Sequence, residues 1–136
     1  MSRSRKFAGA AGLLMTLSLA APAWAAAPDP VVSELFTKAL SDVPGKEVLM
    51  ITVVYPPGGA DPVHRHDAHS FIYVIEGEII MGVKGGKEHK LGPGQTFYES
   101  PADLHTVGRN ASTTKPAKFL VFLLKEQNKP FFVPVH

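Results

Sequence analysis

The chain has 136 residues, with 14 Lys plus Arg, 12 Asp plus Glu, six histidines and no cysteine. A chain of this length indicates one domain. The absence of cysteine excludes disulfide bonds, thiolate zinc sites and cysteine nucleophiles, so any metal must be held by histidine and carboxylate. A formal net charge of +2 gives no basic patch of the kind that binds nucleic acid, and we expect no nucleic-acid partner.

Residues 1–25 have the organisation of a secretory signal peptide. Three basic residues lie among the first six, and an apolar run over 7–21 leads to Ala23-Trp24-Ala25. A basic start, an apolar centre of about 15 residues and a small-x-small end are typical of a cleaved leader, whereas a membrane anchor needs about 20 apolar residues. We expect cleavage after Ala25, or one or two residues later. The protein is then exported, periplasmic or secreted, and has no stable membrane anchor.

Loss of this leader changes the charge of the protein. Three basic residues leave with it, so the mature chain keeps 11 Lys plus Arg against 12 acidic residues, a net charge of −1. The sequence pI of about 8.9 therefore belongs mostly to the leader.

Residues 26–45 are predicted to form a short helix and a linker. Asp29-Pro30 matches a helix N-cap followed by proline at the first helical position. Apolar residues then recur at helical spacing: Val32, Leu35, Phe36, Ala39 and Leu40. We therefore expect an amphipathic helix over Asp29–Leu40 that packs on the domain.

From residue 46 the chain changes to short β-type segments separated by glycine and proline. Strands are predicted at 47–55, 71–75, 78–83, 95–99, 106–109 and 119–125. Gly85-Gly86 is a two-residue hairpin signal. Closely spaced strands without interleaved helices predict an all-β antiparallel sandwich or barrel over residues 46–126.

Residues 127–136 are predicted to form an apolar, extended arm. Their sequence contains two adjacent aromatic residues, Phe131 and Phe132, between prolines. We expect this arm to lie on its own barrel or on that of a neighbour. A mature chain of about 110 residues buries only about two-thirds of its surface. We therefore predict a homodimer, with Phe131 and Phe132 at or near the interface.

Three histidines form the candidate metal site. His64 and His66 are two residues apart in a segment expected to be extended, so both imidazoles point to one face. His105 lies near the start of a later strand. Three neutral imidazoles suit Fe, Mn, Zn, Ni or Cu, although a His-x-His sequence alone is a weak signal. His89 lies in a Lys/Glu-rich hairpin and is expected to be solvated.

Two motifs in this region resemble those of the cupin superfamily, in particular its small single-domain members. Four residues match the first motif in register: Gly58, His64, His66 and Gly77. Gly94 and His105 match the spacing of the second motif. The resemblance extends over residues 47–125. It implies a double-stranded β-helix, a jelly-roll-like barrel, in which the three histidines bind a divalent Fe, Mn, Zn, Ni or Cu ion.

One position departs from the family pattern. The glutamate of the first motif falls on Ser70, and a hydroxyl is a poor metal ligand. We favour Glu99 as the fourth ligand, because Glu99 and His105 flank one loop and strand alternation can turn the carboxylate inward. Two alternatives remain open: a bulge that redirects His69, or water beside a three-histidine site. The carboxylate could instead pair with Arg65 or Arg109 at the rim.

The same alternation turns Ile72, Val74, Phe97 and Val107 toward the interior, where they would line a pocket. An apolar pocket favours a small, largely apolar or aromatic ligand. The cupin resemblance implies metal-dependent dioxygenase, decarboxylase or isomerase chemistry on a small organic molecule. Two other functions remain open: a non-catalytic exported protein that binds a metal or small ligand, and a metal-free structural barrel. No residue is identifiable as a general base, unless Glu99 serves as one.

Overall fold

The computed structural model describes residues 25–135, so residues 1–24 of the predicted signal peptide lie outside the described part. Ten strands follow in chain order: β1 (Val31–Ala39), β2 (Lys46–Tyr55), β3 (His64–Arg65), β4 (Ala68–Glu76), β5 (Ile79–Val83), β6 (His89–Leu91), β7 (Thr96–Glu99), β8 (His105–Asn110), β9 (Ala117–Glu126) and β10 (Val133–Pro134). Within residues 25–135 no helix has the length and apolar character needed to cross a membrane.

The strands form two five-stranded antiparallel sheets around one core. The first sheet has the order β1-β2-β9-β4-β7, and the second has the order β10-β3-β8-β5-β6. Core side chains come from both sheets, since Leu123 of β9 and Met81 of β5 belong to the same buried cluster. The predicted all-β class is therefore confirmed.

Alternation of period two explains why the long central strands form. In β9, Phe119, Val121 and Leu123 are buried while the residues between them are more exposed. Val53 and Ile51 of β2 lie directly opposite Phe119 and Val121. Opposed side chains project to the same face of a sheet, and each fully buried side chain of this size contributes about 1.5–3 kcal/mol.

The predicted helix over Asp29–Leu40 is wrong, because this segment forms β1. It pairs antiparallel with β2, and its register shifts at a bulge just before Phe36. Val32 lies opposite Val53 before the bulge, whereas Phe36 lies opposite Met50 after it. The helix-like spacing of these apolar residues is thus divided between the two faces of a bulged strand. Pairing with the main chain of β2 outweighs the helical pattern.

The turn between β4 and β5 depends on Gly77, the glycine that closes the first motif. Its φ angle is +70°, in the left-handed region. A Cβ atom at this position would lie 2.6 Å from the carbonyl oxygen of Pro116. Only glycine allows both this backbone conformation and this close approach.

Residues 127–135, here called the C-terminal arm, lie against the barrel of their own chain. Val133 in β10 is paired with Arg65 in β3, and the N–H of Val135 donates to the carbonyl of Val63 at 3.0 Å. The arm is therefore extended, and it approaches the segment that carries the first two histidines.

Candidate metal centre

Strands β3 and β8 bring the three histidines together. His64 lies directly opposite His105 in the antiparallel pair, and His66 follows two residues later. The Nε2 atom of His64 lies 3.1 Å from Nε2 of His66 and 3.1 Å from Nδ1 of His105. Donor atoms of all three lie within 4.8 Å of one another. The three residues are thus placed to hold a metal ion.

The carboxylate of Glu99 faces this cluster. Glu99 ends β7 and is only 1% exposed. One of its oxygens lies 3.0 Å from Nδ1 of His105, and the other lies 3.4 Å from Nε2 of His66. A buried negative group therefore stands beside two of the three imidazoles.

The alternatives to this carboxylate lie elsewhere in the structure. His69 is exposed, and its Nδ1 atom lies 2.7 Å from the hydroxyl of Tyr98. The two rim arginines have other partners, since Arg65 donates to a main-chain carbonyl and Arg109 pairs with Glu88 at 2.9 Å. Neither His69 nor a rim arginine contacts the cluster.

Ser70 makes the space into which the carboxylate projects. Ser70 of β4 lies directly opposite Glu99 of β7, and opposed residues of an antiparallel pair share a face. Ser70 is fully buried, and its Oγ has no hydrogen-bond partner among the described residues. The motif glutamate is thus absent from β4, and a carboxylate from the adjacent strand projects into the same place.

The donor atoms have the spacing that an ion requires. Two ligand atoms that each lie about 2.1 Å from an ion are about 3.0 Å from each other when the ligand–metal–ligand angle is about 90°. They are about 3.4 Å from each other when this angle is tetrahedral. The four distances between neighbouring donor atoms run from 3.0 to 3.4 Å. Both oxygens of Glu99 are buried without a well-aligned hydrogen bond among the described residues, which is costly unless another group satisfies them. Three imidazoles and one carboxylate therefore fit a first-row divalent ion.

Main-chain carbonyls set the tautomers of two histidines. Nδ1 of His64 lies 2.8 Å from the carbonyl oxygen of Pro62. Nδ1 of His66 lies 2.5 Å from the carbonyl oxygen of Phe131. A carbonyl oxygen only accepts, so each Nδ1 carries the proton and each Nε2 keeps its lone pair. Both free lone pairs face the cluster.

The pKa shifts of His64 and Glu99 favour the charge states that bind a cation, a neutral imidazole and an ionised carboxylate. Burial lowers the pKa of His64 to about 4, so this ring is neutral near neutral pH. Burial would raise the pKa of Glu99, but the three adjacent imidazoles, His66 most of all, outweigh it and lower the pKa. Burial also acts to lower the pKa of His66, and Glu99 outweighs it and raises the pKa. His66 is therefore the ring whose proton competes with a metal.

A cavity of about 60 Å³ adjoins the cluster. Its walls are mostly apolar side chains of β2, β4 and β9. Of the predicted pocket residues, Ile72 lines the cavity. Val74 belongs to the buried core, Phe97 packs against that core, and Val107 is partly buried in β8; these three are not among the lining residues. Since one water needs about 10–15 Å³ on this measure, the space suits only a small molecule.

Two polar residues of the cavity wall were missed by the sequence analysis. Tyr55 ends β2 and is fully buried, and its hydroxyl donates to the carboxylate of Asp61. Burial raises the pKa of Asp61 and, still more, the pKa of Tyr55. The available signal was local: Tyr55 continues the inward positions of β2, and Asp61 precedes His64 by three residues. The Tyr55–Asp61 pair therefore places a group that carries a proton in the cavity wall.

The fold and the histidine cluster define a small all-β barrel with an internal site for a metal ion. A family model described as the cupin domain matches residues 51–123, more than half of the chain. The chain belongs to the cupin family, in agreement with its two motifs.

Solved structures of other proteins share this fold. An oxalate oxidase in complex with the substrate analogue glycolate is 28% identical, with a TM-score of 0.58, over 78% of this chain and 55% of its own. DMSP lyase DddQ from Ruegeria pomeroyi DSS-3 is 23% identical, with a TM-score of 0.57, over 65% and 43%. A protein with a double-stranded β-helix domain from Klebsiella pneumoniae is 18% identical, with a TM-score of 0.61, over 79% and 86%.

The chain spans about half the length of the oxalate oxidase and of the lyase. The likenesses to the lyase and to the Klebsiella protein show the fold alone. A search of curated protein sequences finds no match.

Proposed function

We propose that this cupin is a metal-dependent enzyme in which His64, His66, His105 and Glu99 hold a divalent Fe, Mn, Zn, Ni or Cu ion. The observation that carries this proposal is the cluster itself. Four neighbouring donor-atom distances of 3.0–3.4 Å, in a buried site beside a cavity, match the spacing of ligands around one ion. The metal would supply a Lewis acid or an oxygen-activating centre for dioxygenase-like or related chemistry.

The substrate that we infer is a small oxygenated organic molecule. A cavity of about 60 Å³ excludes anything larger than a few carbon atoms unless the walls move. The oxalate oxidase structure holds glycolate, a two-carbon hydroxy acid, and its 28% identity supports this class of ligand. An oxygen of the substrate would face the histidine cluster, and its carbon atoms would contact the apolar walls.

In this proposal the metal ligands, the apolar walls and the Tyr55–Asp61 pair have separate roles. The three histidines bind the ion, and Glu99 offsets part of its charge. The apolar walls exclude water from the cavity. The Tyr55 hydroxyl holds a proton shared with Asp61, and this pair can give a proton to, or accept one from, a molecule in the cavity.

Metal content and turnover together test the proposal. Elemental analysis of the purified protein should give about one ion per chain. Oxygen consumption and product formation are then followed over a panel of short hydroxy acids, dicarboxylic acids, diketones and small aromatic compounds. His105→Ala should abolish both metal content and turnover, while the exposed His89→Ala serves as the matched control. A folded protein that takes up no metal would contradict the proposal.

A second function, a non-catalytic protein that binds a metal or small ligand, is supported by the number of donors. Four protein ligands leave few open positions on an ion, and the adjoining space is small. Stoichiometric metal with no turnover over the panel would favour this function. For either function we propose an exported protein, periplasmic or secreted, from the organisation of residues 1–25.

We also propose a homodimer. The outer face of the first sheet exposes a group of aromatic side chains, Phe71, Tyr73, Tyr98 and Phe122. Phe71 contacts both Tyr98 and Phe122, with ring centroids 5.2 and 6.1 Å apart, and contiguous apolar patches of this kind mark interaction surfaces. Sedimentation of wild type and of Phe71→Ser/Phe122→Ser tests this, since a monomeric wild type would refute it. The predicted place of the C-terminal arm at or near the interface stays a prediction.

A further inference from the structure

The C-terminal arm contacts the histidine cluster although it lies outside both cupin motifs. The main-chain carbonyl of Phe131 lies 2.5 Å from Nδ1 of His66. The ring of Phe132 stacks on the ring of His64, with centroids 4.3 Å apart and planes 26° apart. The arm therefore touches two of the three histidines: the carbonyl meets His66 at Nδ1, the nitrogen that does not face the cluster, and the Phe132 ring covers a face of His64.

Contacts at Phe131 and at the residues that follow Phe132 hold the arm in place. Val133 pairs with Arg65 in the second sheet, and Val135 donates to the carbonyl of Val63. The Phe131 side chain packs against the buried core. The carbonyl that meets His66 is thus fixed by main-chain pairing on one side and by apolar burial at its own residue.

The two aromatic residues also separate two spaces. Phe131 and Phe132 line the cavity of about 60 Å³ beside the cluster, and they also line an outer groove of about 380 Å³. The arm is consequently part of the wall of the site, together with Val32 and Asp61, which also line both spaces.

We propose that the C-terminal arm is a positioning element of the metal centre, in which the Phe131 carbonyl holds His66 in its Nδ1–H tautomer. This inference rests on the proposed function of the cluster. The carbonyl accepts the Nδ1 proton, so Nε2 keeps its lone pair and points at the other donors. Stacking by Phe132 limits rotation of His64, the ring that lies between the other two. Phe131 and Phe132 thus position the metal site through the ligands His66 and His64.

The arm lowers the free energy that is needed to order the histidine ligands for metal binding. Without the carbonyl, the His66 ring populates both tautomers and more than one rotation, and metal binding must select the productive one. Groups that hydrogen-bond to metal ligands and orient them typically contribute about 10–100-fold in metal affinity. We expect a loss of about this size when the arm is removed.

The first experiment compares three variants with the full chain by calorimetric titration with one divalent metal. A chain ending at Pro130 lacks the carbonyl and both rings, and it should bind about 10–100-fold more weakly. A chain ending at Val135 is the matched control and should bind as the full chain does. Phe131→Ala keeps the carbonyl and should lose less affinity than the truncation. A folded chain ending at Pro130 that binds as tightly as the full chain would overturn the inference.

The second experiment reads the tautomer directly in the full-length, metal-free protein. Nitrogen NMR of the imidazoles, recorded at a pH above the titration of His66 so that this ring is neutral, distinguishes Nδ1–H from Nε2–H. The Nδ1–H form should dominate for His66 in the full chain. An Nε2–H form would overturn the inference even if the truncated chain failed to fold. Phe132→Ala should leave this tautomer unchanged, because the carbonyl remains.

These outcomes separate the two proposals. A full-length protein that binds no metal contradicts the proposed function, while the NMR measurement still decides whether the carbonyl sets the tautomer. A full-length protein that binds metal, together with a folded truncated chain of equal affinity, leaves the proposed function standing and refutes the role of the arm.

Discussion

Exchanging the residues at positions 70 and 99 tests whether the carboxylate of β7 replaces the motif glutamate of β4. Ser70 and Glu99 are directly opposed in register and project to the same buried face. In the double variant Ser70→Glu/Glu99→Ser the carboxylate returns to the motif position, and the small side chain moves to β7. If the two positions serve one ligand site, the double variant should bind metal although Glu99→Ser alone does not.

The expected magnitudes follow from the geometry. Loss of a ligand should exceed the 10–100-fold effect of an orienting group, so Glu99→Ser should weaken metal binding by more than about 100-fold. Ser70→Glu alone places two carboxylates about 5 Å apart at Cβ. At an effective dielectric constant of about 20, their repulsion is about 3 kcal/mol in the free energy of unfolding. The double variant removes that repulsion and should bind within about tenfold of wild type.

Calorimetric metal titration and urea unfolding of the four proteins complete a double-mutant cycle. Glu88→Ser, at an exposed position paired with Arg109, is the matched control for loss of a glutamate. The reasoning is refuted if the double variant is folded and yet binds metal as poorly as Glu99→Ser. It is also refuted if Glu99→Ser binds metal as wild type does.

The remaining predictions concern the histidines, the pH dependence and export. His64→Ala, His66→Ala and His105→Ala should each remove most of the bound metal in elemental analysis, whereas exposed His89→Ala should not; full occupancy in all three would place the site elsewhere. Metal affinity should rise as pH increases through the titration of His66, because the neighbouring carboxylate raises its pKa and the proton competes with the metal; calorimetry that shows no pH dependence would contradict this. Mass spectrometry of exported protein should show a chain starting near Ala26, and an intact N terminus would refute cleavage.

The all-β class could be predicted because its signal is local: alternation within β2 and β9 follows from the period of a half-buried strand. The histidine cluster could be predicted from the spacing of His64 and His66 in one extended segment together with the resemblance to the cupin motifs. The helix prediction over Asp29–Leu40 is wrong because it depends on the helix-like spacing of the apolar residues. A bulge in β1 (Val31–Ala39) produces that spacing by dividing these residues between the two faces of the strand. A bulge of this kind leaves no distinctive residue in the sequence, and only pairing with β2 reveals it.

Glu99 could be favoured as a ligand from its place beside the loop that leads to His105, but its partner in the sheet and the other contacts of the site depend on the folded chain. The carbonyl that meets His66 belongs to a residue 65 positions later in the chain. The place of Glu99 beside Ser70 follows from the register of β4 and β7, which no local pattern specifies. The Tyr55–Asp61 pair forms because the chain turns back after β2. The first two contacts join residues that are distant in the sequence, whereas Tyr55 and Asp61 are six residues apart.

The ligands of the cluster come from separate parts of the sequence, and this affects how the protein acquires its metal. Donors come from β3 and the residue that follows it, from β7 and from β8, and the orienting carbonyl of Phe131 comes from near the C terminus, so no partly folded chain presents the whole site. Metal binding is then coupled to completion of the fold, and selection among first-row ions depends on which ions are supplied at that place and time. For a chain that folds after export, the bound metal would report the supply outside the cytoplasm. Changing the metal content of the compartment of synthesis would leave it unaltered.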